Sequence, residues 1–423
     1  MKEPRVLILS ERFIAGDAIT GLNLFSLWKK DNLFCASRND NYCESFSSFY
    51  LIGDKEVSFN NIFKRFNKVP KSGIVRNSSI IGSNPKSQSL IGRLYLYVVV
   101  PLMRFIGVFH KRVNYHISKE FLEWVDSIVP DYIYTSVGSY NMAQLIDGLI
   151  KARPHIRLII HGYDDWVEPN YYSIYHACER DSYVMLSAII SHASLAFVTS
   201  DKMAEDYSKR YNRPFTVFSN PVKNISEIGI KEKDDNRITF VGKILHHNIK
   251  SIISLATALG ELNSDLTLHI YSDVLDNLKT RIKKAYSRTV FHGWVAYNEI
   301  PNILVNSRIL YLPISIDKQT VKFTKYSMST KMSEYLSSGV PILYHGPGGI
   351  AMTEMLEKNN CAFVVKNDNI ELLKNDIDVI LSDELKTKEK LERAMDLFNR
   401  KFDIEKVASD FKLMICSNIR NTN

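Results

Sequence analysis

Ser327-Met-Ser-Thr-Lys331-Met-Ser-Glu334-Tyr-Leu-Ser-Ser-Gly339-Val-Pro341-Ile-Leu343 reads as a joint between two elements. The spacing predicts a helix over Thr330–Ser338, stopped by Gly339, and a strand opened by Pro341, which could not have continued the helix. Lys331 and Glu334 are three residues apart and share a helix face. They form either a solvated ion pair or a pair turned toward a ligand. Glu334 is not half of a capping box, because the residue three before it is Lys331 rather than Ser or Thr.

The same helix-to-strand rhythm extends in both directions. Strand candidates are Ile238–Val241, Leu266–Tyr271, Val290–His292, Ile309–Leu312, Val340–Tyr344 and Ala362–Val365, with helical patterns between them. Lys386–Asn399 and Ile404–Ile419 read as closing helices. In the first half, Val6–Leu9, Tyr132–Thr135, Leu158–His161, Ala196–Thr199 and Thr216–Phe218 are strand candidates, with helical patterns at Tyr140–Lys151, Tyr172–His192 and Asp201–Tyr211. These strands are continuous apolar runs rather than alternating ones, the pattern of a parallel sheet covered on both faces. The expected fold is α/β, with two facing, doubly wound, Rossmann-like domains. We place the first at 1–223, a polar linker at 224–236 and the second at 237–400. Residues 401–423 form a terminal helix that packs back on the first domain. Ligands of such sheets bind beyond the carboxyl ends of the strands, at helix N-termini and in clefts between domains.

The composition excludes several classes. With 45% hydrophobic and 24% charged residues in 423, the chain is neither a disordered tail nor a disulfide-stapled miniature. Cys35, Cys43, Cys178, Cys361 and Cys416 are scattered without zinc spacing, as expected of reduced thiols in a cytoplasmic protein. The apolar run near Met1 is too short for a signal-peptide core, and Leu94–Phe109, broken by Pro101 and Arg104, is too short to span a bilayer. The net charge is +8, and residues 1–225 hold 27 Lys/Arg against 21 Asp/Glu, so +6 of it lies in that half. Between Val57 and Lys119 stand eleven basic residues and no acidic one. Basic residues beside the aromatic and aliphatic Leu94–Phe109 run suit an anionic bilayer surface, and the same stretch could instead be a core helix with scattered surface charges.

Several segments together resemble GT-B glycosyltransferases of family four. Glu334-Tyr-Leu-Ser-Ser-Gly339-Val-Pro341-Ile resembles that family's Glu-Ala/Tyr-Met/Leu-Ala-x-Gly-x-Pro-Val signature. Phe240-Val-Gly242-Lys243, with Lys250, resembles its Phe-x-Gly-Arg…Lys segment. Phe291-His-Gly293-Trp294 resembles its Val-x-Phe-x-Gly-x-Val strand, and Gly346-Pro-Gly348-Gly349 through Glu354 its glycine loop. In the first half, Leu158-Ile-Ile-His161-Gly-Tyr-Asp164 resembles the family's strand ending in His, while Phe197-Val-Thr-Ser200 and Phe218-Ser-Asn220-Pro221 resemble later landmarks. The resemblance runs from about residue 5 to 400 and is weak between 40 and 130.

What the resemblance implies is transfer of a sugar, with retention, from a nucleotide-sugar donor to a glycan or lipid-linked glycan. His161, Lys243, Lys250 and Glu334 would carry the chemistry. Gly16, Gly21, Gly242, Trp294, Lys331, Gly348 and Gly349 would hold the donor, and Asp164 and Asp165 the acceptor. The residue types suit the task. Negative charge grows on the departing phosphate, where cations and backbone N–H groups at a glycine-rich helix entrance are needed. A carboxylate such as Glu334 can accept from two ribose hydroxyls at once. Two departures stand out: Tyr326 occupies the family's earlier glutamate position, and lysines replace the arginine fork, so bidentate phosphate geometry is lost.

No cofactor and no metal is expected. The Asp-x-Asp of metal-dependent GT-A transferases occurs here as Asp376-Ile-Asp378 inside a helical pattern, Asn369–Ser382. A nucleotide-sugar epimerase of the same fold is the alternative enzyme. Nucleic-acid binding would use the positive charge, but no helix-turn-helix, zinc-finger or RNP signature accompanies it, and no nucleic-acid partner is expected. Location is expected at the cytoplasmic face of a membrane, with peripheral attachment.

Overall fold

The computed structural model describes residues 3–11, 15–59, 69–76, 95–165, 177–226, 228, 236–244, 248–262, 265–317, 321–322 and 324–418. The start of the predicted Tyr172 helix, most of the polar stretch 224–236, and Lys64, Arg65, Lys68, Lys86 and Arg93 of the basic stretch lie outside the described residues. The chain divides into two compact units, Met1–Val217 with Asp410–Asn423, and Phe218–Ser409.

The strands of the first unit are β1 Val6–Ser10, β2 Leu33–Ser37, β3 Ser48–Leu51, β4 Val57–Phe59, β5 Gly73–Val75, β6 Val113–Tyr115, β7 Tyr132–Thr135, β8 Arg157–Gly162, β9 Ala193–Val198 and β10 Thr216–Val217. Eight of them form one sheet in the order β10-β9-β8-β7-β1-β2-β3-β5, and β4 pairs separately with β6. Every pairing in the large sheet is parallel except the edge pair β3–β5. Leu7, Ile133, Leu158 and Ile160 pack against Phe121, Trp124, Leu145, Leu149 and Ile189 of the flanking helices. Gly16 and Gly21, expected above to hold the donor, lie within a helix, Ala15–Leu24. Buried Ala18, Leu24 and Phe25 outweigh the roughly 1 kcal/mol that glycine costs inside a helix. The tail of the chain completes this unit. Phe411 packs its ring against Phe25, Tyr134 and Phe197 at 5.1, 6.0 and 5.4 Å, and the Lys412 ammonium donates to Glu3 and to the Leu27 carbonyl.

The strands of the second unit are β11 Arg237–Val241, β12 Thr267–Tyr271, β13 Thr289–Phe291, β14 Ile309–Pro313, β15 Ile342–His345 and β16 Phe363–Val365. They form a sheet in the order β13-β12-β11-β14-β15-β16 with all pairings parallel. Successive side chains alternate between two cores, one per face: Leu310 and Leu312 enter one, Tyr311 the other, and Ile342 and Tyr344 are likewise separated from Leu343. Pro221 and Val222 go with this unit, where Val222 exchanges backbone hydrogen bonds with Phe402 and Ile404. The helix after Ser329 is Thr330–Leu336, two residues shorter at its end than the spacing predicts; Gly339, at φ +68°, turns the chain into β15.

Candidate active site

The carboxyl end of β11 leads into Gly242, whose φ of +128° is a conformation that L side chains rarely adopt. A second constraint acts there. A β-carbon at this position would stand 2.2 Å from Lys331 Cε and 2.7 Å from its Nζ. The missing side chain thus makes the channel in which Lys331 lies. Its ammonium is 5.2 Å from the centroid of the Phe240 ring. The side chain is mostly buried, and burial pushes the ammonium below the usual lysine range, with the charge of Glu334 pulling the other way. No carboxylate oxygen reaches salt-bridge distance of Nζ among the described residues. Lys331 and Glu334 are both half-buried and stand beyond salt-bridge distance of each other, so the ion pair considered for them does not form. What remains is a half-buried cation beside the backbone at a strand end, an arrangement suited to an anion.

Glu334 sits one turn further along the same helix. Burial raises its carboxyl above the usual range, opposed by a hydrogen bond donated by the Tyr297 hydroxyl and by the Lys331 charge. Tyr297 follows β13, in a short 3₁₀ turn Tyr297–Glu299. The sequence reading did not single it out: nothing in its local pattern points to a partner on a distant helix. Trp294, in the same loop, is 73% exposed. Just before it, the His292 ring stacks on Tyr271 at 4.1 Å. Tyr326, in place of the family's earlier glutamate, is buried, and Lys325 donates to its hydroxyl at 2.8 Å.

The glycine loop follows β15. Gly348 and Gly349 are exposed, Gly349 at φ +74°, and they lead into the helix Ala351–Lys358, whose N-cap Ile350 supplies no side-chain acceptor. The turn is fixed from below, because Thr353 Oγ1 donates to the Pro347 carbonyl at 2.6 Å. A buried chain of contacts ties its base to neighbouring elements: Tyr311 Oη lies 2.6 Å from the Ser251 carbonyl and 2.8 Å from His345 Nδ1, and His345 Nε2 lies 3.1 Å from the Asn367 carbonyl. Lys243 and Lys250 are exposed, and neither has a carboxylate partner among the described residues. Replacing both with Ala should weaken binding of a nucleoside diphosphate by about tenfold or more while leaving the nucleoside nearly unaffected, since each exposed charge contributes up to about 1 kcal/mol. Titration calorimetry with the two ligands separates the outcomes.

In the first unit, His161 ends β8 and is 0% exposed. Its Nδ1 lies 2.7 Å from the Tyr134 hydroxyl, and its ring stacks on Tyr163 at 4.6 Å. Asp164 is exposed in the loop that follows. Asp165 is not available in the way the acceptor reading requires. Its side chain is 8% exposed, paired with Arg210 at 2.8 Å, and accepts from Tyr207 at 3.0 Å. It anchors the loop to the helix Asp201–Tyr211. Asp378 is exposed on the helix Ile370–Ser382. Burial raises the carboxyl of its neighbour Asp376, opposed by Lys386 and Lys390.

Residues 235–383, most of the second unit, match the family described as Glycosyl transferases group 1. No curated protein sequence matches the chain. Among solved structures, HepE of Anabaena in complex with UDP and glucose is 14% identical, aligns over 98% of this chain and 100% of its own, and gives a TM-score of 0.60. A glycosyltransferase from Rickettsia africae is 12% identical, with all of both chains aligned and a TM-score of 0.62. WaaG, a glycosyltransferase involved in lipopolysaccharide biosynthesis, is 14% identical over 97% of this chain and 99% of its own, with a TM-score of 0.55. The likeness read from the sequence therefore holds: in sequence over residues 235–383, and over the whole chain as the GT-B fold of two Rossmann-like domains.

Proposed function

We propose that this GT-B chain is a metal-independent, retaining hexosyltransferase, which moves a sugar from a nucleotide-sugar donor onto a glycan or lipid-linked glycan in surface polysaccharide biosynthesis. The observation that carries the reading is the group at the end of β11: a half-buried Lys331 ammonium, without a carboxylate at salt-bridge distance among the described residues, in the channel left by Gly242 and one helical turn from a carboxylate. A nucleoside diphosphate brings what these residues lack, an anion for Lys331 and ribose hydroxyls for Glu334. Lys243, Lys250 and the Gly348-Gly349 helix entrance add positive potential for the same group. Trp294 and Tyr297 offer aromatic surface in the loop after β13. HepE, of the same fold, is seen with UDP and glucose, and WaaG acts in lipopolysaccharide biosynthesis.

In the reaction, the bond from the sugar's anomeric carbon to the β-phosphate oxygen breaks. The acceptor oxygen bonds to that carbon on the same face, and the acceptor proton passes to the departing phosphate oxygen. No enzymic base is required. The lysines would stabilise the charge that develops on the phosphate, and His161 would hydrogen-bond the transferring sugar once Tyr134 or Tyr163 yields. Asp164, exposed in the loop after β8, would hold an acceptor hydroxyl.

Because protein cations meet the leaving charge, transfer should continue in excess EDTA. Loss of transfer with chelator, restored by magnesium or manganese, would contradict this. Incubation with donor alone separates transferase from epimerase: a changed sugar configuration on the nucleotide, with no acceptor present, favours the epimerase.

A further inference from the structure

Among the described residues, the most exposed cluster of large apolar side chains lies in the first unit. A π-helical turn, Tyr95–Val99, runs into the helix Val100–Ile106, which Gly107 ends in the left-handed conformation at φ +80°. Tyr97, Val98, Leu102 and Phe105 are 76, 52, 53 and 48% exposed. Positions 98, 102 and 105 follow i, i+4, i+7 spacing and fall on one helical face, with exposed Tyr97 and Pro101 beside them. The opposite side is also apolar: Val100 is buried, and Val99, Met103 and Ile106 are partly so. A helix apolar on both sides satisfies one against its own core and leaves the other to be covered by something else.

Its rim is basic. Arg104 is exposed, with its guanidinium 4.8 Å from the Phe109 ring, and Arg112 stacks on the same ring at 3.8 Å. Lys111 is half exposed and lies 3.3 Å from Asp181, a carboxylate that also meets His110 at 3.2 Å. No Asp or Glu occurs anywhere between Val57 and Lys119. Arginine held on an aromatic ring keeps its charge while its stem lies along apolar surface, which suits the headgroup boundary of a bilayer.

We infer that this face is a docking surface for an anionic lipid bilayer, with Tyr97, Val98, Leu102 and Phe105 entering the headgroup boundary and Arg104, Lys111 and Arg112 meeting lipid phosphates. The basic rim decides the occupant. Two copies of this chain joined through the face would bring like charges together, whereas an anionic surface complements them. Among the described residues no helix is long and apolar enough to cross a membrane, and the attachment proposed here is peripheral. Docking does not depend on the transfer reaction, and either can fail without the other.

The test is flotation of the full chain with phosphatidylcholine vesicles, with and without phosphatidylglycerol, at low and high salt. The natural protein should float with the anionic vesicles at low salt and be released by salt. Arg104→Glu should lower retention by about tenfold, because reversal removes one attraction and adds one repulsion. The pair Leu102→Glu with Phe105→Glu should abolish it with an unchanged melting temperature, and Leu102→Ser with Phe105→Ser is the milder variant if the first pair folds poorly. The inference is overturned if the natural protein stays in solution beside anionic vesicles at low salt, or if the serine pair floats as well as the natural protein. It is also overturned if the chain ignores vesicles but forms a dimer that Leu102→Glu dissociates, which would give the face to a second copy.

Discussion

Lys331→Met should raise the melting temperature at neutral pH while destroying affinity for nucleoside diphosphates. The two effects have one cause. In the free protein the ammonium is partly removed from water without gaining a carboxylate at salt-bridge distance among the described residues, so an apolar side chain of similar length should stabilise the fold by about 1 kcal/mol. That gain corresponds to roughly 2–4 °C for a domain of this size. With donor present, the same ammonium meets phosphate in a desolvated site, and its loss should cost about 2–4 kcal/mol, on the order of 30- to 1000-fold in affinity. The pH dependence has a definite sign. Burial lowers the lysine's pKa from 10.5, so between the lowered value and 10.5 the folded chain holds fewer protons than the unfolded chain. Stability in the natural protein should therefore rise with pH across that window, and this component should vanish in Lys331→Met. Thermal melts of both proteins across that range, with UDP and GDP titrations at pH 7, check all three. Undiminished diphosphate binding by the variant would take Lys331 out of the site.

Glu334→Ala should cut turnover and donor affinity by about 2–4 kcal/mol with little loss of stability, because its carboxylate would accept from the ribose while contributing little to the packing of Met332, Tyr335 and Leu336. Its raised pKa adds a signature. Activity should fall as pH drops through that value, since a protonated carboxyl loses acceptor capacity, and Glu334→Gln should lose this acid limb along with most of the activity. Tyr297→Phe should have a smaller effect, because it removes one donor to Glu334 and leaves the carboxylate in place. Full activity in Glu334→Ala, or a variant that does not fold, would show that the residue serves the fold rather than a ligand.

How much of this was legible in the sequence differs between the two units. In the second, strand positions agree within a residue or two, because runs such as Ile309-Leu-Tyr-Leu are buried on both faces and carry no competing pattern. In the first, β2 and β3 escaped notice: Leu33-Phe-Cys-Ala-Ser37 is short and half built of small residues, yet it is fully buried because it lies between β1 and β3. The helix at Ala15–Leu24 was obscured by its two glycines. At the site, spacing placed Lys331 and Glu334 on one face but could not say that the face turns inward, which depends on the empty space at Gly242. Asp165 and Tyr297 were misjudged or missed for a related reason. Their partners, Arg210 and Glu334, are remote in sequence, and only the fold brings them together.

The central claim is that the second unit binds the diphosphate of a nucleotide sugar. Thermal melts of the full chain against UDP, GDP, ADP and TDP, each beside its own nucleoside, test it most directly. One diphosphate at about a hundred times its dissociation constant should add roughly 2.7 kcal/mol of stability, with a far smaller effect from the matching nucleoside. A chain that no diphosphate stabilises, or that responds equally to diphosphate and nucleoside, would contradict the account.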